Sequence, residues 1–199
     1  MSRRVSFASY LAGVVIAGSI VSSQAVAQGS AIGKGSWIIS GSASASSQHA
    51  NGSDQTTTTI SLAPSALYFV KPGLALGGAV GLGYFDGAFG TTKSFGIGPS
   101  ARYYFGDAAA KTIPFISATV APSWQSSDPK SSSSASDNTA HGLEIEGTLG
   151  ITHLVATHVG ITGEAYYAHQ SFDTDVGTIH ATQSSYAIGV RFGITAFVF

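Results

Sequence analysis

The chain has 199 residues, no cysteine, nine basic and ten acidic side chains, and a formal charge of −1. Charged residues make up 10% of it, against about a quarter in ordinary soluble domains, so a conventional water-facing surface is hard to build. No basic cluster gives the footprint of a nucleic-acid partner, and stabilisation by disulfides is excluded.

The first element is a leader. MSRRVSFASYLAGVVIAGSIVSSQAVAQ carries Arg3 and Arg4, an apolar run over about 10–20, and the small-x-small pattern Ala25-Val26-Ala27. The run is shorter than the ~20 residues of a spanning helix, so a secretory signal peptide over 1–27 is expected, followed by one domain over 28–199. That domain of 172 residues keeps seven basic and all ten acidic groups, a formal charge of −3.

Alternation of apolar and polar residues then recurs eight times, separated by turn chemistry. Strands are expected over 35–46, 57–70, 74–85, 93–105, 113–125, 140–155, 159–170 and 184–199. The connectors after the even strands are short: Lys71-Pro72-Gly73, 106–111 and Ala156-Thr157-His158. Those after the odd strands, 47–56, 86–92, 126–139 and 171–183, are longer and polar, and the third is low-complexity. An even strand number with loop length segregated by end is the layout of an outer-membrane barrel, with short turns in the periplasm and long loops outside.

Each strand has one greasy face. Over 141–152, His141, Leu143, Ile145, Leu149 and Ile151 alternate with Gly142, Glu144, Glu146, Thr148 and Thr152. Over 93–105, Phe95, Ile97, Pro99, Ala101, Tyr103 and Phe105 alternate with Ser94, Gly96, Gly98, Ser100, Arg102 and Tyr104. With the apolar face inward, the outside would be Ser, Thr and Gly, too poor in charge for a soluble barrel. With it outward, the apolar face meets lipid and the small polar face fills a narrow interior. Aromatic placement favours the second: Trp37, Tyr68, Tyr103 and Phe105 fall at the short-turn end, and Tyr84, Trp124 and Tyr167 at the other, as two interfacial girdles. The expected fold is all-β, an eight-stranded antiparallel transmembrane β-barrel that contacts outer-membrane lipid as a monomer.

The leader, the turn YFVKPGLALG at 68–77, the strand GIGPSARYYFGD at 96–107 followed by IPF at 113–115, and a last strand ending in phenylalanine together resemble the small bacterial outer-membrane β-barrel families, the OmpX-like and OmpW-like group. The resemblance spans the whole domain and specifies an architecture more than an activity. It implies that Phe199 is read by the barrel-assembly machinery. One departure stands out: Phe199 shares its parity with Phe197, Thr195 and Gly193, whereas the continuous apolar set is Tyr186, Ile188, Val190, Phe192, Ile194, Ala196 and Val198. Either the last strand bulges near its end or Phe199 lies off the lipid face.

The interior charges are Arg102, Glu144, Glu146, Glu164 and Arg191, with Glu164 expected opposite Arg191. They read as a buried ion-pair network filling a narrow barrel, or as a charged pore lining. His169 and Ser171 form an outward H-x-S pair that faintly resembles the lipid A deacylase barrels, but Gln183 and Ser184 stand where a carboxylate is wanted, and Asp173 and Asp175 are placed in a loop. His49, His141, His169 and His180 gather toward one end without ligand spacing, so no metal and no cofactor is expected. Pro64, Pro99 and Pro122 on lipid-facing positions interrupt ladders and would suit a lateral opening or a bulge. A structural or surface-interaction role follows, with limited solute passage as an accessory; the alternatives are a lipid A-modifying enzyme and a hydrophobic-ligand conduit. No extracellular ligand is named by these residues.

Overall fold

The described residues form eight strands: β1 Trp37–His49, β2 Thr56–Lys71, β3 Leu74–Asp86, β4 Gly90–Tyr104, β5 Thr112–Pro129, β6 Asn138–Ala156, β7 Val159–Val176 and β8 Ile179–Val198. The computed structural model describes residues 31–49, 56–88, 90–106, 110–130, 138–176 and 179–199. The expected signal peptide at 1–27 lies outside them. Each strand pairs antiparallel with its sequence neighbours, and β8 returns to β1 to close a barrel. Closure pairs the backbone of both outermost strands, which is what lets a sheet stand in hydrocarbon.

Tight turns at one end follow from local chemistry. Between β2 and β3, Gly73 takes φ 77°, a conformation open to glycine. A Cβ there would lie 2.9 Å from the Tyr104 carbonyl oxygen. The turn is tied on both sides, because Gly73 N–H donates to the Ile32 carbonyl at 2.9 Å and its own carbonyl accepts from Tyr104 N–H at 2.8 Å.

The opposite end differs from the expectation of long loops. Of the residues expected as connectors, 86, 90–92, 171–176 and 179–183 lie in strands, and only 87–89 and 177–178 separate β3 from β4 and β7 from β8. Strands β5 to β8 run 18, 19, 18 and 20 residues, well past the ~9–11 needed to cross a bilayer. The excess forms hairpins that stand clear of the lipid. Polar residues fall on both faces there, so alternation vanishes from the sequence although the backbone ladder continues. Side chains brace it: Thr182 Oγ1 donates to Asp173 Oδ1 at 2.8 Å, and Lys93 Nζ meets Asp128 Oδ2 at 3.3 Å. Asp173 and Asp175 accordingly belong to β7, not to a loop.

Side chains face as the alternation requires. Ile39, Ile97, Tyr103, Ile116, Ile145, Leu149, Ile151, Ile161, Phe192 and Ile194 are exposed on the outside. Inside, the filling is not uniformly small and polar. At the short-turn end Ile38, Leu67, Phe69, Ala75, Tyr104, Ile113, Phe115 and Phe197 form an apolar core, closed from below by Ala31 and Ile32. The stretch preceding β1 thus caps the barrel and shields from water a cluster of inward aromatics that would otherwise be costly.

Phe199 resolves the question of its parity. The β8 register runs unbroken from Val159↔Ala196 and Trp37↔Val198 through its pairs, so no bulge intervenes. Phe199 lies off the lipid face, partly buried against the apolar core, its ring 4.5 Å from that of His158 in the β6–β7 turn.

Two kinds of interruption mark the wall. Pairing lapses between Leu62 and Ser65 of β2 against β3, and between Gly96 and Ser100 of β4 against β5, where Pro64, Pro99 and Pro122 supply no N–H. It resumes in the same register on either side, so these are local gaps without a bulge. The larger interruption is at closure: β1 and β8 pair only from Trp37↔Val198 to Ala43↔Phe192. Beyond it, 179–191 of β8 pair with β7 alone.

Gly193 sits on this short seam. A Cβ on it would fall 2.3 Å from the Gly41 carbonyl oxygen and 2.8 Å from Ser42 Cα. Replacing Gly193 with Val should therefore loosen the closure by about 1–3 kcal/mol, seen as a lower temperature for the heat-induced mobility shift of the folded barrel in gels; an unchanged shift would show that the seam does not need a bare backbone there.

Candidate functional site

The barrel's midsection holds a bidentate ion pair at the point where closure ends. Arg191 of β8, 8% exposed, donates from Nη1 and Nη2 to the two oxygens of Glu146 at 2.9 and 2.6 Å, and from Nε to Glu164 Oε1 at 2.8 Å. Glu164 and Arg191 are direct cross-strand partners. Glu164 Oε1 also accepts from Ser42 Oγ of β1 at 2.9 Å, Thr148 Oγ1 donates to Glu146 at 3.2 Å, and the guanidinium lies 4.4 Å over the Tyr166 ring. Four strands, β6, β7, β8 and β1, are thereby clamped together. Charge-assisted bonds of this bidentate kind are the strong ones in a low-dielectric setting.

Arg102 stands apart from this group. Its Nη1 reaches Ser40 Oγ at 3.4 Å and Tyr104 Oη at 3.5 Å, its Cζ lies 4.5 Å over the Phe115 ring, and Nε has no partner. Among the described residues no carboxylate pairs with it, so the five interior charges do not form one network. Between Arg102 and Arg191 the residual void is about 30 Å³. Nearer the short-turn end, Thr152, Thr162 and Thr195 bond hydroxyl to hydroxyl at 3.1 and 2.7 Å before the apolar core begins.

On the long-hairpin side of Arg191 the interior opens into a cavity of about 380 Å³. Its lining includes Ser44, Ser61, Ser94, Ser123, Gln125, Glu144, Gln170 and the rings of Phe85, Tyr166 and Phe172. Glu144 faces into it, taking a bond from the Gln170 side-chain amide. Sequence reasoning grouped Glu144 with the ion pairs, but Arg191 is committed to the other two carboxylates. Ser42, Thr148, Tyr166 and the threonine ladder were not singled out; only the parity they share with the interior charges marks them.

His169 and Ser171 lie outward on β7. Their cross-strand partners are Ile145 and Tyr186 for His169, and Leu143 and Ser184 for Ser171, with no carboxylate among them. Of the four histidines at this end, His141 and His169 face outward on neighbouring strands, and the side chains of His49 and His180 lie outside the described residues. Among the described residues no group of three metal-type ligands converges.

The girdle residues sit on the outer surface. Trp37 and Tyr68 have ring centroids 5.2 Å apart and Tyr103 and Phe105 4.9 Å apart near the short-turn end. Toward the other end Trp124 stacks on Phe95 at 5.7 Å and Tyr167 on Tyr186 at 6.5 Å, with Tyr84 exposed.

Truncating Arg191 to Ala strands two carboxylates, and should destabilise the barrel by about 3–5 kcal/mol in urea unfolding from lipid vesicles. Changing Arg191, Glu146 and Glu164 together to Met, Leu and Leu should recover most of that loss; equal instability in both variants would mean that the clamp is not what the single variant breaks.

No protein-family model matches this chain, and no curated protein does. Solved structures do. Neisserial surface protein A is similar at 20% identity and a TM-score of 0.53, over 82% of this chain and 97% of that one. The outer membrane protein OprG from Pseudomonas aeruginosa is similar at 14% identity and a TM-score of 0.57, over 83% of this chain and 96% of its own. At such identities the likeness is one of fold, and with the apolar exterior and closed ladder it makes the chain, by architecture, an eight-stranded barrel of the outer membrane.

Proposed function

We propose that the chain is a non-conducting outer-membrane barrel that displays its extended hairpins, and the cavity between them, to the cell exterior, in a structural and surface-interaction role. The observation that carries this reading is the double blockage of the interior. The Arg191–Glu146–Glu164 clamp crosses the lumen at mid-height, and the apolar core with Ala31 and Ile32 fills it below. Small-solute passage as an accessory would have to thread both.

A second reading, capture of a lipid-soluble ligand from the membrane, is favoured by the unpaired stretch of β8 beside the cavity. The enzymatic reading draws no support from a His169 flanked by Ile145 and Tyr186. Its test is separate: His169→Ala should leave lipid A acylation as it is in cells producing the protein.

Reconstituted in planar bilayers, the protein should give no steady ion conductance, whereas a variant with Arg191, Tyr104 and Phe115 all changed to Ala should. Steady conductance from the unaltered chain would overturn the reading.

A further inference from the structure

Three observations meet on one side of the barrel. The first is the open seam. From Ala43↔Phe192 toward the long hairpins, β8 has no β1 partner, and every residue of 182–188 is exposed, whichever way it points. Tyr186 and Ile188 are 74% and 76% exposed, the highest among the large apolar side chains. Tyr186 stacks on the girdle residue Tyr167, so the seam gapes within the lipid-facing band and not only in the hairpins above it. The five positions 187–191 span about 13 Å of strand edge.

The second is the cavity behind that gap, of about 380 Å³, whose lining includes Ser44 and Ser46 from the β1 side and Ala187 and Arg191 from the β8 side.

The third is unspent polar chemistry on its wall. Arg191 is consumed by Glu146 and Glu164, so Glu144, half-buried and facing the cavity, has no cation of its own among the described residues. A carboxylate withdrawn from water without a countercharge is costly. On the adjacent strand, Ser123 is 4% exposed and its Oγ has no hydrogen-bond partner. Ser123 lies opposite Gly142 and Ala121 opposite Glu144, which makes Ser123 and Glu144 diagonal neighbours on one face, within reach of a single small group. Both offer acceptor oxygens, and the wall around them carries the Phe85 and Phe172 rings.

We propose that this cavity binds an amphiphile with a primary ammonium head, which enters from the lipid through the open β1–β8 seam, Glu144 and Ser123 accepting the head group's N–H bonds while its chain lies along the seam against Val190, Ile188 and Tyr186. This rests on the barrel being a closed-ended cup. An anionic head is refused, because it would meet Glu144 with Arg191 already neutralised. A soluble ammonium lacking a chain has the acceptors but not the apolar seam.

The test uses the barrel in nanodiscs of phosphatidylcholine, with dodecylamine, dodecanoate and ethylamine as probes at neutral pH, read by native mass spectrometry. Dodecylammonium should bind one per barrel, and dodecanoate and ethylammonium at least about tenfold more weakly. Glu144→Gln should lose about tenfold or more, the scale of one charge-assisted bond, and Ser123→Ala a smaller factor. Because the chain has no cysteine, Ala45→Cys with Val190→Cys can be tethered across the seam by a short thiol cross-linker, which should slow loading without touching the head-group site. Equal binding of dodecanoate, or unaltered affinity in Glu144→Gln, would overturn the ammonium assignment; unaltered loading in the tethered barrel would overturn the lateral route. If Glu144→Gln fails to fold, the probe comparison on the native chain decides. The same preparation in planar bilayers separates the two readings: steady conductance sinks the closed cup, while silence without dodecylammonium binding sinks this site alone.

Discussion

A backbone N–H or C=O in hydrocarbon has no water to turn to, and this requirement governs the whole molecule. It forces the meander to close, makes β8 find β1, and selects the residues that permit the approach. Gly193 sits at that junction because a Cβ on it would collide with the Gly41 carbonyl oxygen and Ser42 Cα of β1. The ion-pair clamp then falls where the closing ladder stops: Arg191 immediately precedes Phe192, at which β8 begins to pair with β1, and Ser42 reaches across to Glu164. Side-chain bonds take over from backbone bonds at the point where backbone pairing ends.

Seen along its axis, the barrel is two objects. The short-turn half is a solid, with the rings of Phe69, Phe115 and Phe197 packed around Tyr104 and a threonine ladder above them. The other half is hollow, with a carboxylate and a hydroxyl left on its wall. Arg191 is the floor between them. Such a division suits a protein that holds its position in the membrane by one half and meets its surroundings with the other.

Much of this was legible in the chain. Strand number, order and facing followed from alternation, because lipid outside and small side chains inside impose a period of two on each spanning segment. The Glu164–Arg191 pairing followed from the register set by the Ala156-Thr157-His158 turn and the connector over 171–183. What the sequence hid has physical causes. Glu144 and Glu146 share a strand and a parity, and only their distances to a side chain on β8 tell that one is neutralised and the other is not. Leu67, Phe69 and Phe197 looked like ordinary strand residues, since an aromatic on the inner face is read as an exception until a cap such as Ile32 is found beneath it. The seam was invisible because pairing between the first and last strands leaves no local mark. The prolines drew attention instead, and they break only two or three consecutive pairs before the register resumes.

The hairpins that rise past the membrane carry a different consequence. There the ladder is held by backbone bonds with water on both faces, so few positions demand a particular side chain, unlike the clamp, or Gly193 at the seam, where a single added atom collides. Substitutions can accumulate at the rim at little cost to folding. A barrel built this way is free to change the residues of its rim while its lower half stays fixed, and the outermost residues should be the fastest to drift between related chains.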